Sequence, residues 1–325
     1  MQLVLDNNGI VLKKRNHSFW VVHKKGARLI SPHRLSSIAV VDDCLISSAA
    51  IKLAALHNVP IYFFNRAGKL SAKLWSPYFG SIATIRREQA QYALTAAATE
   101  WIIDLLMQKK QSQQKVLQNI SKKNATLKKM ADKASQKMDD IFTGIDTFKN
   151  QPLHGCRNQL LGIEGAMAKS YWPIISQSLP EVHRFAQRSR RPANDGFNAA
   201  LNYLYGMLYG TVSQAIVDAG LDTHLGFLHV DAYNSPSFTF DLIEPFRPWV
   251  DELLVGIFQK GGVANSYFRP QETGIYLSKE GKRVFIPLFN DMIEQRILFD
   301  NKRLSRKNHI FRYASLFAQK LLNKG

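Results

Sequence analysis

The sequence predicts an α+β multidomain protein: a small N-terminal β-sandwich-like domain, then a larger helical one. Its 325 residues suggest two domains on length alone. Over roughly the first 75 residues, apolar and polar positions alternate in short runs broken by turn residues. From about Ile85 onward the apolar spacing changes to steps of three and four, the helical period.

In the first part, LVLDNNGIVLKK sets Asn8-Gly9 between two apolar segments, which predicts a hairpin. SFWVVHKKGARLI repeats the pattern with Lys25-Gly26 as its turn. IAVVDD over 38–43 is a further strand, and Ser47 or Ser48 caps a short helix, AAIKLAALH. VPIYFF over 59–64 returns as a strand, and Asn65 to Gly68 turns into KLSAKLW. Closely spaced short strands form a small sandwich or twisted sheet. No catalytic residues gather there, so the segment reads as a dimerisation or packing module.

Near Pro77 the period changes, and helical segments run to about Asp140. This run carries Lys109, Lys110, Lys115, Lys122, Lys123, Lys128, Lys129, Lys133 and Lys137. It fits a solvated face of a helical hairpin. It also fits a phosphate-tracking surface, where each neutralised phosphate adds salt-dependent affinity. In CRNQLLGIEGAMAKSYWPIISQSLP (156–180), Leu160, Ile163, Met167 and Tyr171 mark an amphipathic helix that Pro173 ends or kinks. Glu164 borders that stripe, where a carboxylate must be paired, protonated or metal-bound. Next, Asp195 is the expected N-cap of a helix whose buried stripe is Phe197, Leu201, Leu204, Leu208 and Val212, with Gly220 as the stop. Arg188, Arg190 and Arg191 precede it, and Tyr203, Tyr205 and Tyr209 lie along it. Arginines beside aromatics suit contact with nucleic-acid backbone and bases, while tyrosines on a long helix also serve as packing.

Metal-ligand chemistry is densest in HLGFLHVDAYNSPSFTFDLIEPFRPWVDE, from His224 to Glu252. His229 and Asp231 are followed by Asp241, Glu244 and Asp251, with Arg247 among them. The DAYNSPS loop folds the two ends back toward each other. Glu244-Pro245 opens a helix, since prolines are tolerated in a first turn. Asp241, Glu244 and Arg247 then fall at steps of three on one face. An imidazole and carboxylates brought together this way can hold a divalent ion, or can simply hydrogen-bond one another. After this stretch, GIYLSKEGKRVFI resembles a small hairpin, and SRKNHIFRYASLFAQKLLNKG is a final basic helix.

Composition limits the function classes. Apolar content of 46% and charged content of 21% are those of a globular protein with a full core. A net charge of +18 and a pI near 9.9 point to a polyanionic partner, most simply nucleic acid. No apolar run approaches the roughly 20 residues of a spanning helix, so no membrane is expected. MQLVLDNNG lacks the pattern of a signal peptide. The two cysteines, Cys44 and Cys156, suggest neither a disulfide framework nor a zinc site and fit a reducing cytoplasm.

In this order, LGIEGAMAKSYW, RRPANDGFNAALNYLYG, GLDTHLGFLH, DLIEPFRPWVD and GIYLSKEGKRVFI resemble CRISPR-associated protein 1, the endonuclease and integrase of spacer acquisition. ISSAAIKLAALHNVPIYFFNRAGKL is similar too, so the resemblance spans essentially the whole chain. It implies an N-terminal β-domain (1–80), an all-helical catalytic domain (81–325) and a homodimer. By matching motif positions it implies Glu164, His229 and Glu244 as ligands of Mg²⁺ or Mn²⁺. Asp241 would support them with neighbouring Arg247, and Tyr205 would stand near the active centre. Double-stranded DNA with 3′-hydroxyl ends, CRISPR leader-repeat DNA and CRISPR-associated protein 2 are the implied partners. Arg188, Arg190, Arg191, Lys109, Lys110, Lys122 and Lys123 are the expected phosphate contacts. Two carboxylates and one imidazole make a mostly oxygen site that suits these ions better than zinc.

The chemistry expected is attack by a 3′-hydroxyl on a phosphodiester, or hydrolysis when water attacks instead. Two other readings stand beside it. One is a basic DNA-binding scaffold whose acidic cluster is structural. The other is a general repair nuclease for branched DNA. Metal dependence separates the scaffold from the enzymes.

Overall fold

The computed structural model describes residues 2–24, 26–35, 37–57, 59–64, 70–74, 82–190, 192–230, 232–233 and 235–323. The expected turns at Lys25 and at Asn65–Gly68, the change of period near Pro77, and Arg191 and Asp231 lie outside these residues. The chain divides into two compact units, Met1–Gly80 and Ser81–Gly325.

The first unit contains β1 (Gln2–Leu5), β2 (Ile10–Arg15), β3 (Ser18–His23), β4 (Gly26–Ile30), β5 (Ser37–Val40), β6 (Cys44–Ile46), α1 (Ser48–Leu56), β7 (Ile61–Phe64) and β8 (Leu70–Leu74). These strands form two four-stranded sheets, ordered β1-β5-β7-β8 and β4-β3-β2-β6. Leu3, Leu5, Ile38 and Ile61 from one sheet and Leu12, Phe19 and Val21 from the other bury into a single core with Leu53 of α1. Ser47 caps α1 as expected, accepting from the Ala50 amide at 3.2 Å.

The Asn8-Gly9 hairpin expectation is corrected. β1 pairs in parallel with β5, Gln2 opposite Ser37, while β2 belongs to the other sheet. The Leu5 carbonyl accepts from Val41, and the Gly9 amide donates to Asp43, so the segment crosses between sheets. Gly9, at φ +82°, serves that crossing. The true hairpins are β2–β3, which turns through Asn16 at φ +55°, and β3–β4.

The second unit is mostly helical. Its elements are α2 (Ile82–Tyr92), α3 (Ala96–Ser121), α4 (Ala125–Phe142), α5 (Leu153–Ser178), α6 (Gly196–Asp218), α7 (Ser237–Leu242), α8 (Arg247–Gln259), β9 (Phe268–Gln271), β10 (Gly274–Leu277), α9 (Lys279–Glu294), β11 (Arg296–Phe299), β12 (Lys302–Ser305) and α10 (Arg306–Leu322). Asp195 caps α6 by accepting from the Asn198 amide at 2.8 Å, and its stripe from Phe197 to Val212 is fully buried. Trp101 of α3 packs among Phe227, Phe238 and Phe317 in the core of this unit. Among the described residues, no helix is long and apolar enough to cross a membrane.

Two expectations for this unit are corrected. It is not all-α, because β9–β10 and β11–β12 are antiparallel hairpins. Gly274 lies at φ +142°, where a Cβ would meet the Pro192 side chain at 2.5 Å, and Ile275 donates to the Ala193 carbonyl at 2.9 Å. That close approach docks β10 beside the start of α6. Only GIYL of GIYLSKEGKRVFI is strand. Ser278 caps the next residues into α9 by accepting from Gly281 at 3.0 Å. Likewise Pro173 does not end α5, which runs on to Ser178. The backbone bond lost at Pro173 is offset by burial of Tyr171, Ile174 and Ile175 around it.

Candidate active site

Three elements converge. α3 carries Lys109, α5 carries Glu164, and the 3₁₀ turn Glu244–Phe246 between α7 and α8 carries Glu244. α3 packs against both α5 and that turn. The Lys109 ammonium stands 2.7 Å from Glu164 Oε1 and 2.6 Å from Glu244 Oε2. Glu244 is 3% exposed. Its other oxygen, Oε1, accepts from Arg247 Nε at 2.7 Å. Burial alone would push the Glu244 carboxyl up, but the Arg247 guanidinium and the Lys109 ammonium hold it down, at about 2. Burial works against the Lys109 charge, and the Glu244 and Glu164 carboxylates outweigh it and raise the ammonium above its usual value.

The imidazole is fixed from behind. His229 Nδ1 lies 2.7 Å from Asp241 Oδ1. Asp241, at the end of α7, also accepts the backbone amides of Phe227, Leu228 and His229 at 2.6, 3.1 and 3.0 Å. One buried carboxylate therefore sets both the GFLH backbone and the ring carried on it. Gly226 permits the tight path, since a Cβ there would meet the His229 carbonyl at 2.3 Å. With Nδ1 given to Asp241, Nε2 is the ring nitrogen turned to other partners. Burial opposes the His229 charge. The Asp241 hydrogen bond and charge, with the charges of Glu244 and Glu164, override it and raise the pKa above 6.5. Burial also raises the Asp241 carboxyl, against the pull of its hydrogen bonds.

Arg247 links this site to a cluster of tyrosines. Its guanidinium carbon lies 4.9 Å from the Tyr205 ring centre and 5.1 Å from that of Tyr209, and Nη2 bonds the Tyr209 hydroxyl. Tyr205 donates to Asp251 Oδ1 at 2.6 Å, and Tyr171 donates to Oδ2 at 3.0 Å. Burial raises Asp251 to about 6, and both phenols are pushed well above 10 by burial and by that carboxylate.

The residues partly fit a divalent ion. Glu164 and Glu244 already share one cation. Glu244 Oε2 is a buried oxygen with no aligned hydrogen bond, although the Lys109 charge is next to it. Among the described residues, no three His, Cys, Asp or Glu side chains are drawn together tightly enough to enclose a metal. The donor chemistry suits Mg²⁺ or Mn²⁺, with the ammonium standing between the carboxylates.

Several expected phosphate contacts lie elsewhere. Lys109 and Lys110 are not surface groups: they are 7% and 8% exposed, and Lys110 pairs with Asp139 at 2.6 Å over the Phe142 ring. Arg188 turns inward, bonding Asn198 and Asn202 at 2.9 and 2.6 Å beside the Trp172 and Tyr205 rings. Arg190, Lys122 and Lys123 are exposed. Sequence reasoning missed the Lys109 bridge and the Tyr171–Asp251–Tyr205 cluster. A signal for the first was present, because Lys109 falls three and four positions after Leu106 and Leu105, on the buried stripe of α3.

The family model described as CRISPR associated protein Cas1 matches residues 3–291. A CRISPR-associated endonuclease Cas1 of Archaeoglobus fulgidus is 28% identical over 326 residues, which is 97% of this chain and 94% of that one. The structure of a Cas1 protein from Thermotoga maritima superposes with a TM-score of 0.78 at 19% identity, covering 99% of this chain and 97% of that one. A casposase bound to an integration product superposes with a TM-score of 0.82 at 23% identity, covering 100% of this chain and 91% of that one. At these identities the structural likeness concerns the fold. Through the family match over nearly its whole length, the chain belongs to the CRISPR-associated protein Cas1 family.

Proposed function

We propose that the chain is a metal-dependent DNA endonuclease and integrase of CRISPR adaptation. It inserts short duplexes into a leader-repeat array by attack of a 3′-hydroxyl on a phosphodiester. The observation that carries this reading is the convergence of Glu164 and Glu244, from separate elements, on one cation near the Asp241-braced His229.

Glu164 and Glu244 supply the negative charge, and His229 Nε2 the neutral nitrogen, that would hold Mg²⁺ or Mn²⁺. Such an ion supplies Lewis acidity to a non-bridging phosphate oxygen and favours the alkoxide form of the nucleophile. Arg247 keeps Glu244 ionised and aimed. Asp241 keeps the His229 ring in one orientation and fixes its tautomer. In the joining step one P–O bond forms to the 3′-oxygen and one P–O bond of the target strand breaks. The incoming hydroxyl loses a proton, the departing oxygen gains one, and no external energy source is needed. Water in place of the 3′-hydroxyl makes the same step hydrolysis. Exposed Arg190, Lys122 and Lys123 would hold flanking phosphates. The N-terminal unit, read as a two-sheet sandwich, would serve dimerisation, with CRISPR-associated protein 2 as partner.

The test uses a supercoiled plasmid carrying a leader and repeat, and a labelled duplex with free 3′-hydroxyls. The protein is added with and without CRISPR-associated protein 2, in Mn²⁺ or EDTA, with His229→Ala alongside. Label joined to plasmid, and lost with EDTA and with His229→Ala, is the expected result. Tight DNA binding with no covalent change in any metal would favour a scaffold whose carboxylates are structural.

A further inference from the structure

We propose that Lys109 is a built-in counter-cation that a divalent ion must displace. Its ammonium holds Glu164 and Glu244 together while no metal is bound. It leaves them when a metal arrives and becomes available to the phosphate. This rests on the metal-dependent reading above.

Placement is the first support. Nζ is 2.7 Å from one oxygen of Glu164 and 2.6 Å from one of Glu244, so it occupies the space where an ion shared by those oxygens would sit. A divalent ion and an ammonium on the same two oxygens would repel each other strongly, so one must withdraw. The two carboxylates also differ in what they keep afterwards. Glu244 retains Arg247 on Oε1, so it is not left without a counter-charge. Glu244 Oε2 has the Lys109 ammonium as its charge partner at 2.6 Å, so an ion would take over that oxygen by replacing Lys109. The Glu164 side chain is 18% exposed, which gives the ammonium a route toward water.

A lysine suits such an exchange better than an arginine would. Its ammonium is a compact charge on a flexible four-carbon stem, so Nζ can move without α3 moving, and its three donors suit a phosphate oxygen. Neighbouring Lys110 is a different case. It is paired with Asp139 over Phe142 and belongs to the packing of α3 on α4.

The test begins with wild-type protein. Lysines are labelled by brief acylation and mapped by mass spectrometry, in EDTA and in saturating Mn²⁺. Lys109 should be protected in EDTA and become labelled in Mn²⁺, while Lys110 stays protected and exposed Lys122 reacts in both. In parallel, Mn²⁺ binding is followed by electron paramagnetic resonance, without DNA, for wild type, Lys109→Met and Glu164→Gln. Removing the competing charge should tighten binding to Lys109→Met by about tenfold or more. The same variant should melt earlier than wild type in EDTA and gain more from Mn²⁺. If Mn²⁺ binding depends on Glu164 but Lys109 stays protected in Mn²⁺, the exchange is wrong and the metal site stands. If Glu164→Gln binds Mn²⁺ as wild type does, the metal site and the exchange fall together. Should Lys109→Met not fold, the wild-type labelling alone decides.

Discussion

The Tyr205 hydroxyl is bound to Asp251 at 2.6 Å, with both residues buried in the core of the helical unit. A phenol so placed, with its pKa pushed well above 10 by burial and the carboxylate, is a poor nucleophile. Tyr205→Phe should therefore still join DNA and lose stability by about 1–3 kcal/mol, the scale for a hydrogen bond to a buried carboxylate. Urea unfolding and the joining assay check the two halves. A protein–DNA adduct that disappears in Tyr205→Phe would contradict the first.

Asp251 itself should leave a mark on the pH dependence of stability. Its carboxyl is raised to about 6, above its ordinary 3.8. Between about pH 4 and pH 6 the folded protein holds a proton that the unfolded chain has released, so this group's contribution falls as pH rises through that window. Above it the contribution is constant. Asp251→Asn removes the titration and should flatten the slope between pH 4 and 6 in denaturant series. An unchanged slope would show that Asp251 titrates normally.

Tyr205 and Tyr171 show what the sequence could not disclose. They reach Asp251 from 46 and 80 positions away, and no spacing rule links residues so far apart. Local features were legible. The Asp195 and Ser47 caps and the Phe197–Val212 stripe depend on neighbours within a turn or two. Asn8-Gly9 misled for the opposite reason. It is good hairpin chemistry, but β1 found its partner at Ser37–Val40, where Leu3 and Leu5 are buried in the core between the sheets. Glu164, His229 and Glu244 came through the family resemblance. The spacing alone favoured a hydrogen-bonded pair over a metal site.

Glu164 and Glu244 should differ sharply in what their loss does to stability. Glu244→Ala takes the carboxylate from buried Arg247 and leaves Lys109 with Glu164 alone, and should cost about 3–5 kcal/mol. Glu164→Ala leaves Lys109 paired with Glu244 and removes a side chain already 18% exposed, so about 1 kcal/mol is expected. The Glu244 pKa of about 2 lies below its unfolded value, so its contribution is present above about pH 4.5 and fades as pH falls toward 2. Urea midpoints of both variants in EDTA, at pH 7 and pH 3, test the difference. Equal losses at pH 7 would show that Glu244 is not the centre of the charge network.

His229 should titrate above 6.5, which NMR of its ring protons can follow. Its stabilising pairing with Asp241 is fully present below 6.5 and is lost as pH rises through the folded value. Because only the neutral ring can ligate, the same shift should move the onset of Mn²⁺ binding to higher pH. Asp241→Asn should lower the ring's midpoint. It should also cost about 2–3 kcal/mol, because an amide cannot accept from the Phe227, Leu228 and His229 backbone as a carboxylate does. A midpoint unmoved by Asp241→Asn would mean the hydrogen bond at Nδ1 does not govern the ring.

Arg188 and Arg190, two residues apart, should separate packing from phosphate binding. Arg188 is held by Asn198 and Asn202 beside two aromatic rings, and burial lowers its pKa. Arg188→Ala should lower the melting temperature while the salt dependence of DNA binding stays close to wild type. Arg190 is exposed, so Arg190→Ala should leave the melting temperature unchanged. If it contacts a phosphate, the slope of log affinity against log salt should shrink by about 1. Titrations of a short duplex across a range of salt, beside thermal melts of both variants, make the comparison. A reduced slope for Arg188→Ala with its melt unaltered would put its guanidinium on DNA and not in the core.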